Sequence, residues 1–283
     1  MNPTLSIITP SYNQEDFIEE NILSVKEQTT KEIEHVIIDG DSDDKTLEII
    51  KEYEDEYNLR WISEPDSGQS EAINKGIEMA EGDWIIWLNA DDFFLPNALK
   101  NFFKAKKIFK KADVIYGDLK YVNQDKKTIR KKYHTKPSKF IHKHWKYFTA
   151  NHCTFFREEV LKEVRGVNED LEYTMDIDLL WRVLDSHYKL NHIPEFIAAH
   201  RKHSEAKTYG KKTKKHKEES KRLRNMPDYS FIEKILPREL LALLAIFLQS
   251  TLFLREKRLE AIKHLYLKVI NDYIHPIEGI EKV

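Results

Sequence analysis

The chain has 283 residues, enough for one large α/β domain or for a domain with a smaller appendage. Its 46 Lys and Arg nearly cancel its 48 Asp and Glu, so the formal net charge is -2 and no global field points toward nucleic acid. A single cysteine, Cys153, excludes an intramolecular disulfide framework and suits a reducing, cytoplasmic compartment. No run reaches the roughly 18 apolar residues of a spanning helix, and no secretory signal pattern opens the chain.

Short apolar runs alternate with helix-like segments through the first half. LSIIT (5–9) reads as a buried strand. Residues 16–28 read as a helix with Ile18, Ile22 and Val25 on one face. EHVIIDG (34–40) is a second strand, and 43–57 a second amphipathic helix with Asp43 or Asp44 as its cap. LRWISE (59–64) is a third strand, 68–80 a third helix, and WIIWL (84–88) a fourth strand. This alternation predicts a mostly parallel central sheet with helices on both faces, and such sheets bind ligands at the carboxyl ends of their strands. Those ends read TPSYN, DGDSDD, EPDSGQ and NADD.

After residue 111 the spacing loosens. Residues 112–122, 127–134 and 152–157 read as strands and 176–188 as a helix. Residues 201–224 are strongly basic, followed by Pro227, Pro237 and the uncharged run 240–254. The expected organisation is a catalytic domain over 1–225, with halves 1–110 and 111–225, and a C-terminal helical region over 226–283.

Two adjacent carboxylates at a strand end, as in NADD, can hold Mg²⁺ or Mn²⁺, which take hard oxygen ligands and keep several waters. The plainer alternative is that Asp92 caps a helix starting near Pro96. Taken in order, SIITPSYNQEDFIEENILSVKEQT, HVIIDGDSDDKT, DSGQSEAINKGIEMAEGDWIIWLNADD and DIDLLWR resemble glycosyltransferase family 2, over about the first 205 residues. The resemblance implies the GT-A fold and inverting transfer of a single sugar, with a divalent metal as cofactor. It also implies a nucleotide-diphosphate-sugar donor, a UDP-sugar in the first instance, and a glycan or lipid-linked acceptor hydroxyl, as in surface polysaccharide or glycoconjugate synthesis.

By the same resemblance Thr9, Pro10 and Tyr12 line the nucleobase and ribose, and Asp39 contacts the base. Gly68 lets the backbone approach the donor closely. Asn74 and Lys75 lie one helical turn on, with Lys75 a phosphate contact. Asn89 stands where many relatives have Asp, and its amide oxygen can still bond the ribose. Asp91 faces the ribose and phosphate, and Asp92 the metal. Late in the chain HRKH resembles an R-x-H segment, placing Arg201 on phosphate and His203 on the metal. Asp118, in IYGDLKY, reads as a strand-end residue that contacts the acceptor or shapes a turn.

Inverting transfer needs one general base. The resemblance puts it at Asp176, with Met175 where Glu is common. Asp178 diverges from Asp176 by about 200° around a helix, so the two cannot share an acceptor. It is expected to cap or orient. No Gln-x-x-Arg-Trp segment follows, which argues against processive synthesis.

Other readings remain open at this point. One is a catalytically silent nucleotide-sugar-binding relative that acts through a partner. Another is a nucleic-acid module using residues 201–224, which lacks interleaved aromatics apart from Tyr209. The 15 uncharged residues 240–254 reach roughly 22 Å as a helix, short of a ~30 Å bilayer core. They call for burial in the catalytic domain, in a homodimer, or at the inner face of a membrane, where the basic run would favour an anionic surface.

Overall fold

The computed structural model describes residues 3–134, 150–204, 206 and 213–224. The uncharged run 240–254 and the whole 226–283 region lie outside the described residues, as do residues 205, 207–212 and 225 of the basic stretch and its boundary.

The predicted alternation corresponds to β1 (Leu5–Ser11), α1 (Ile18–Lys26), β2 (Ile33–Asp39), α2 (Thr46–Tyr53), β3 (Leu59–Ser63), α3 (Gln69–Met79) and β4 (Trp84–Trp87). The second half adds β5 (Phe93–Phe94), α4 (Ala98–Ile108), β6 (Val114–Val122), β7 (Thr128–Lys132), β8 (Thr154–Arg157), α5 (Glu158–Glu163), α6 (Met175–Asp185), β9 (Leu190–Arg201) and α7 (Lys214–Arg224). One sheet runs in the order β3-β2-β1-β4-β8-β6-β9-β5, with β7 beside β6. β3, β2, β1 and β4 are mutually parallel, so their carboxyl ends share one edge. β8 pairs antiparallel with both β4 and β6, which joins the two halves of the chain in one sheet. β9 then runs parallel to β6 and antiparallel to β5.

Side chains alternate across this sheet with a period of two. Leu5 and Ile7 of β1, with Trp84 and Ile86 of β4, face a core built from Val25 of α1 and from Ala98, Leu99 and Phe102 of α4. Ile8, Ile85 and Trp87 face the other way, toward Ile73 and Ile77 of α3, Val160 and Leu161 of α5, and Leu179 and Val183 of α6. A strand buried on both faces reads as a continuous apolar run, which is why LSIIT and WIIWL are so apolar.

The helix starts shift from their expected places. α1 begins at Ile18 because Gln14 and Glu15 turn their amides to Thr46 Oγ1 (2.7 Å) and Asp44 Oδ2 (3.0 Å). α2 begins at Thr46, so Lys45 and neither Asp43 nor Asp44 takes the N-cap position, and Asp44 supports the helix start from one residue earlier by accepting the Thr46 N–H at 2.9 Å.

α3 lies close against β1 at Gly76, where an added Cβ would sit 2.3 Å from Ile8 Cγ2. Overpacking of this kind costs about 1–3 kcal/mol. Gly76→Ala is therefore expected to lower the melting temperature by several degrees. An unchanged melt would mean that the helix does not pack this tightly on the strand.

Candidate donor and acceptor site

The turn that follows β4 carries Asn89, Asp91 and Asp92. Asp92 N–H donates to Asn89 O at 3.0 Å, and Asn21 of α1 braces the turn by donating to Asn89 O (2.9 Å) and Asp92 O (3.0 Å). Gln69, the first residue of α3, donates to Asn89 Oδ1 at 2.9 Å and ties the turn to that helix. The paired aspartates therefore sit at the shared carboxyl edge, and they point to different surroundings.

The Asp92 side chain is fully buried. Oδ1 accepts the Arg201 N–H at 2.8 Å, His200 Nδ1 lies 3.2 Å away, and His152 Nδ1 lies 3.3 Å from Oδ2. The His152 and His200 rings stack at 5.0 Å, and the edge of Tyr121 meets His200 at 5.3 Å. Burial alone would lower His200, but the Asp92 carboxylate outweighs it and holds the imidazole above its ordinary value. Asp91 is the more open of the pair, 19% exposed, with Oδ2 3.0 Å from His203 Nε2. His203 is buried, packs on Phe17 at 4.4 Å, and has no hydrogen-bond partner at Nδ1 among the described residues.

Two cation-competent donor sets thus stand side by side. Asp92, His152 and His200 bring three ligand atoms within 4.8 Å of one another. Asp91 and His203 form the second set. Ligands at about 2.1 Å from an octahedral ion are about 3 Å apart, so the spacing within either set fits. Each set has one reachable member: Asp91 is 19% exposed beside the buried His203, and His200 is 20% exposed beside the buried Asp92, so the open carboxylate belongs to one set and the open imidazole to the other. Of the two residues expected at the metal, His203 lies against Asp91, while Asp92 lies among Arg201, His200 and His152 and keeps a cation-competent set with the two imidazoles.

Several expected donor or acceptor contacts are engaged elsewhere. Arg201 is buried, its Nε donating to Asp91 O (3.0 Å), one terminal nitrogen donating to Gln124 O (3.2 Å) and the other pairing with Glu20. It clamps the turn from within and presents no guanidinium to phosphate. Asn74 donates to Val167 O (3.0 Å) and Glu169 (2.7 Å) and accepts from Val167 N–H (2.9 Å), so it anchors the 167–169 loop. Lys75 pairs with Glu64 and Glu71, both at 2.8 Å, which neutralise it. Asp118 lies inside β6, buried against His192 Nε2 (2.8 Å) and the His134 N–H (2.9 Å), not at a strand end facing an acceptor.

Thr9 is buried and bonded through Oγ1 to His35 (2.8 Å) and Asn21 (3.3 Å). Pro10 is an interior residue of β1 opposite Ile38. Asp39 accepts Ser42 N–H (2.9 Å), Ser42 Oγ (2.6 Å) and Ser63 Oγ (2.8 Å), drawing the ends of β2 and β3 together. Tyr12, just past β1, is 60% exposed. Gly68 precedes α3 at φ 134°, a conformation that favours glycine, and leaves open space where a side chain would be.

On the far side of the sheet edge, α6 begins at Met175. Asp178 is bound to Arg182 Nε at 2.8 Å, one turn along, and Arg182 also reaches Val164 O. Asp176 accepts the Ile177 N–H at 2.8 Å. It keeps some open surface yet lies well inside the protein, and burial pushes its carboxyl above the usual range against the opposing pull of Lys132 and His200. Those charges link the base candidate to the Asp92 cluster. Sequence reasoning passed over His152 and His200, and their only local signal was a position beside strand ends, in NHC and AAHR.

A nine-stranded sheet, parallel over its first half and carrying an acidic turn at its carboxyl edge, defines the GT-A class of transferase folds. Solved structures with this architecture include S. aureus TarS 1-349 in complex with UDP (TM-score 0.62, 20% identity, 84% of this chain and 69% of that one). Another is the Pyrobaculum calidifontis mannosyltransferase in complex with GDP-Man and Mn²⁺ (TM-score 0.57, 15% identity, 98% and 77%). An uncharacterized glycosyltransferase of Methanocaldococcus jannaschii is 29% identical over 209 residues, 70% of this chain and 71% of that one. The family model for Glycosyl transferase family 2 matches residues 6–165, and the chain belongs to that family. Among the described residues no helix is long and apolar enough to cross a membrane.

Proposed function

We propose that the protein transfers one sugar from a nucleoside-diphosphate sugar to an acceptor hydroxyl with inversion at C1, aided by a divalent cation. The observation that carries this reading is the open carboxylate of Asp91 beside the buried His203, together with the half-buried carboxylate of Asp176 near one sheet edge, each with a distinct task available. Tyr12 is free to stack on the nucleobase, and Asp39, Ser42 and Ser63 brace the loops around it. Asn89, held by Gln69, borders the ribose and diphosphate.

Asp91 and His203 would hold Mg²⁺ or Mn²⁺, and Asp92 orients the turn from inside. When bound there, the cation neutralises charge building on the departing diphosphate. Asp176 accepts the acceptor's hydroxyl proton as that oxygen bonds to C1 and the C1–O bond to the diphosphate breaks, the electron pair leaving with the phosphate oxygen. Asp178 takes no part, because Arg182 holds it. Arg201 and His203 face inward, so two of the cationic positions in 201–224 are withdrawn from any nucleic-acid surface. The acceptor is read as a glycan or lipid-linked hydroxyl, and 1–225 as the catalytic unit.

The test is a thermal-shift and turnover panel of UDP-glucose, UDP-galactose, UDP-N-acetylglucosamine, UDP-glucuronate and GDP-mannose, with and without Mn²⁺. A donor at about 100 times its Kd adds ~2.7 kcal/mol, a shift of several degrees. One donor is expected to give that shift with Mn²⁺ and to be turned over, if only to water. Binding with no turnover of any donor or acceptor would instead make the protein a nucleotide-sugar binder acting through a partner.

A further inference from the structure

The base candidate stands at the start of α6, where the first backbone N–H groups of a helix lack intrahelical partners and the entering chain needs outside support. That support comes from α7, beyond the stretch matched by the family model. Glu219 is buried in a helix otherwise dominated by Lys and Arg. Its Oε1 accepts the Glu172 N–H at 3.0 Å, and its Oε2 accepts the Tyr173 N–H at 2.9 Å and the Thr174 hydroxyl at 3.1 Å. Two further contacts lie one turn back on the same face. His216 stacks on Tyr173 at 5.1 Å with the rings 2° from parallel, and Lys215 pairs with Glu172 at 2.8 Å. Each of residues 172, 173 and 174 is thus gripped by α7, and Asp176 follows two residues later.

We infer that Glu219 is a positioning residue for the transfer reaction: it fixes the backbone that enters α6 and so sets where Asp176 meets the acceptor. The inference rests on the reading of Asp176 as the base. Hydrogen bonds to an ionised carboxylate are roughly twice as strong as neutral ones, and three converge here on one side chain. Thr174 extends the linkage into the helix, since its carbonyl accepts the Asp178 N–H at 3.0 Å. A base displaced by about 1 Å can lose 10²-fold in rate with no change in its chemistry. Glutamine at 219 keeps the size but puts an NH₂ where one carboxylate oxygen accepted a bond. Alanine removes all three bonds.

The experiment uses the full chain and the sugar nucleotide that the wild type turns over in the panel above. Glu219→Gln and Glu219→Ala are expected to lower kcat per folded molecule by about 10- to 100-fold. The affinity for the matching free nucleotide, UDP or GDP with Mn²⁺, should stay within about twofold, because the donor edge is untouched. Thr174→Val, which removes one of the three bonds, should give a smaller loss that does not multiply with that of Glu219→Gln in the double variant. Lys214→Ala, which removes only an exposed contact with Glu218 within α7, should keep wild-type kcat. A purely structural role would lower the folded fraction while leaving kcat per folded molecule unchanged, and that result overturns the inference. So does wild-type kcat in Glu219→Ala beside an inactive Asp176→Asn. Full turnover by Asp176→Asn would instead remove the base reading itself, a separate and recognisable failure.

Discussion

Asp176→Asn is expected to lower the rate of the chemical step by roughly 10²–10⁴-fold, the usual contribution of a general base, while nucleotide affinity persists. The two carboxylates of α6 make this decisive. Asp178 is buried and bound to Arg182, whereas Asp176 keeps some open surface and has its carboxyl pushed upward by burial. A base must be ionised to work, so kcat/KM should rise with pH along a limb whose midpoint lies above the ordinary carboxylate value, and the Asn variant should lack that limb. The stability sign is opposite to that of a salt-bridged Asp. A raised folded pKa gives stability that is present below the ordinary carboxylate pKa and lost as pH rises through the folded one. At neutral pH the Asn variant should accordingly melt no lower than the wild type. If Asp178→Asn removes turnover and Asp176→Asn does not, the base has been assigned to the wrong carboxylate.

The second large effect is expected at Asp91. Asp91→Asn should raise the Mn²⁺ or Mg²⁺ concentration needed for half-maximal turnover by more than the roughly 10–100-fold that follows loss of an outer-shell partner. It should leave the melt nearly unchanged, since Asp91 is partly open and its side chain meets His203 at the surface of the turn. Asp92→Asn should behave differently. The Asp92 carboxylate is buried, holds the Arg201 N–H and faces two imidazoles, so the change in metal demand should be smaller than for Asp91→Asn. Metal titrations of turnover for both variants separate the two readings. The reverse pattern would place the cation in the Asp92, His152 and His200 set.

The first half of the fold was legible because its signals are local. LSIIT, EHVIID and WIIWL are apolar runs of strand length, and Ile18, Ile22 and Val25 recur at helical spacing. Polar residues gather where those runs end, so the reactive edge could be named before the sheet was known. The two carboxylates of NADD and the two of MDID were visible in the same way, and the family resemblance gave them an order.

Their division of labour depended on contacts no local pattern carries. Asp91 and Asp92 are chemically identical neighbours. What separates them is β9, which is placed beside β6 and β5 and brings the Arg201 N–H and His200 to Asp92, and which leads on to His203 beside Asp91. β9 itself gave a poor strand signal, because LNHIPEFIAAHR contains Pro194 and Glu195 and breaks the alternation of a half-buried strand. Asn74, Lys75, Asp118 and Arg201 looked available to ligands as residue types, and only the folded chain supplied the Val167, Glu64, His192 and Gln124 groups that engage them. Glu219 carried no signal of its own within the strongly basic residues 201–224. By itself, then, the sequence determined the layered α/β architecture and the edge where chemistry collects, since period and polarity are properties of adjacent residues. Which carboxylate is open, which is enclosed and which helix holds the base were decided by tertiary structure, because burial and hydrogen bonding arise between residues as far apart as 181 positions, as in Arg201 and Glu20.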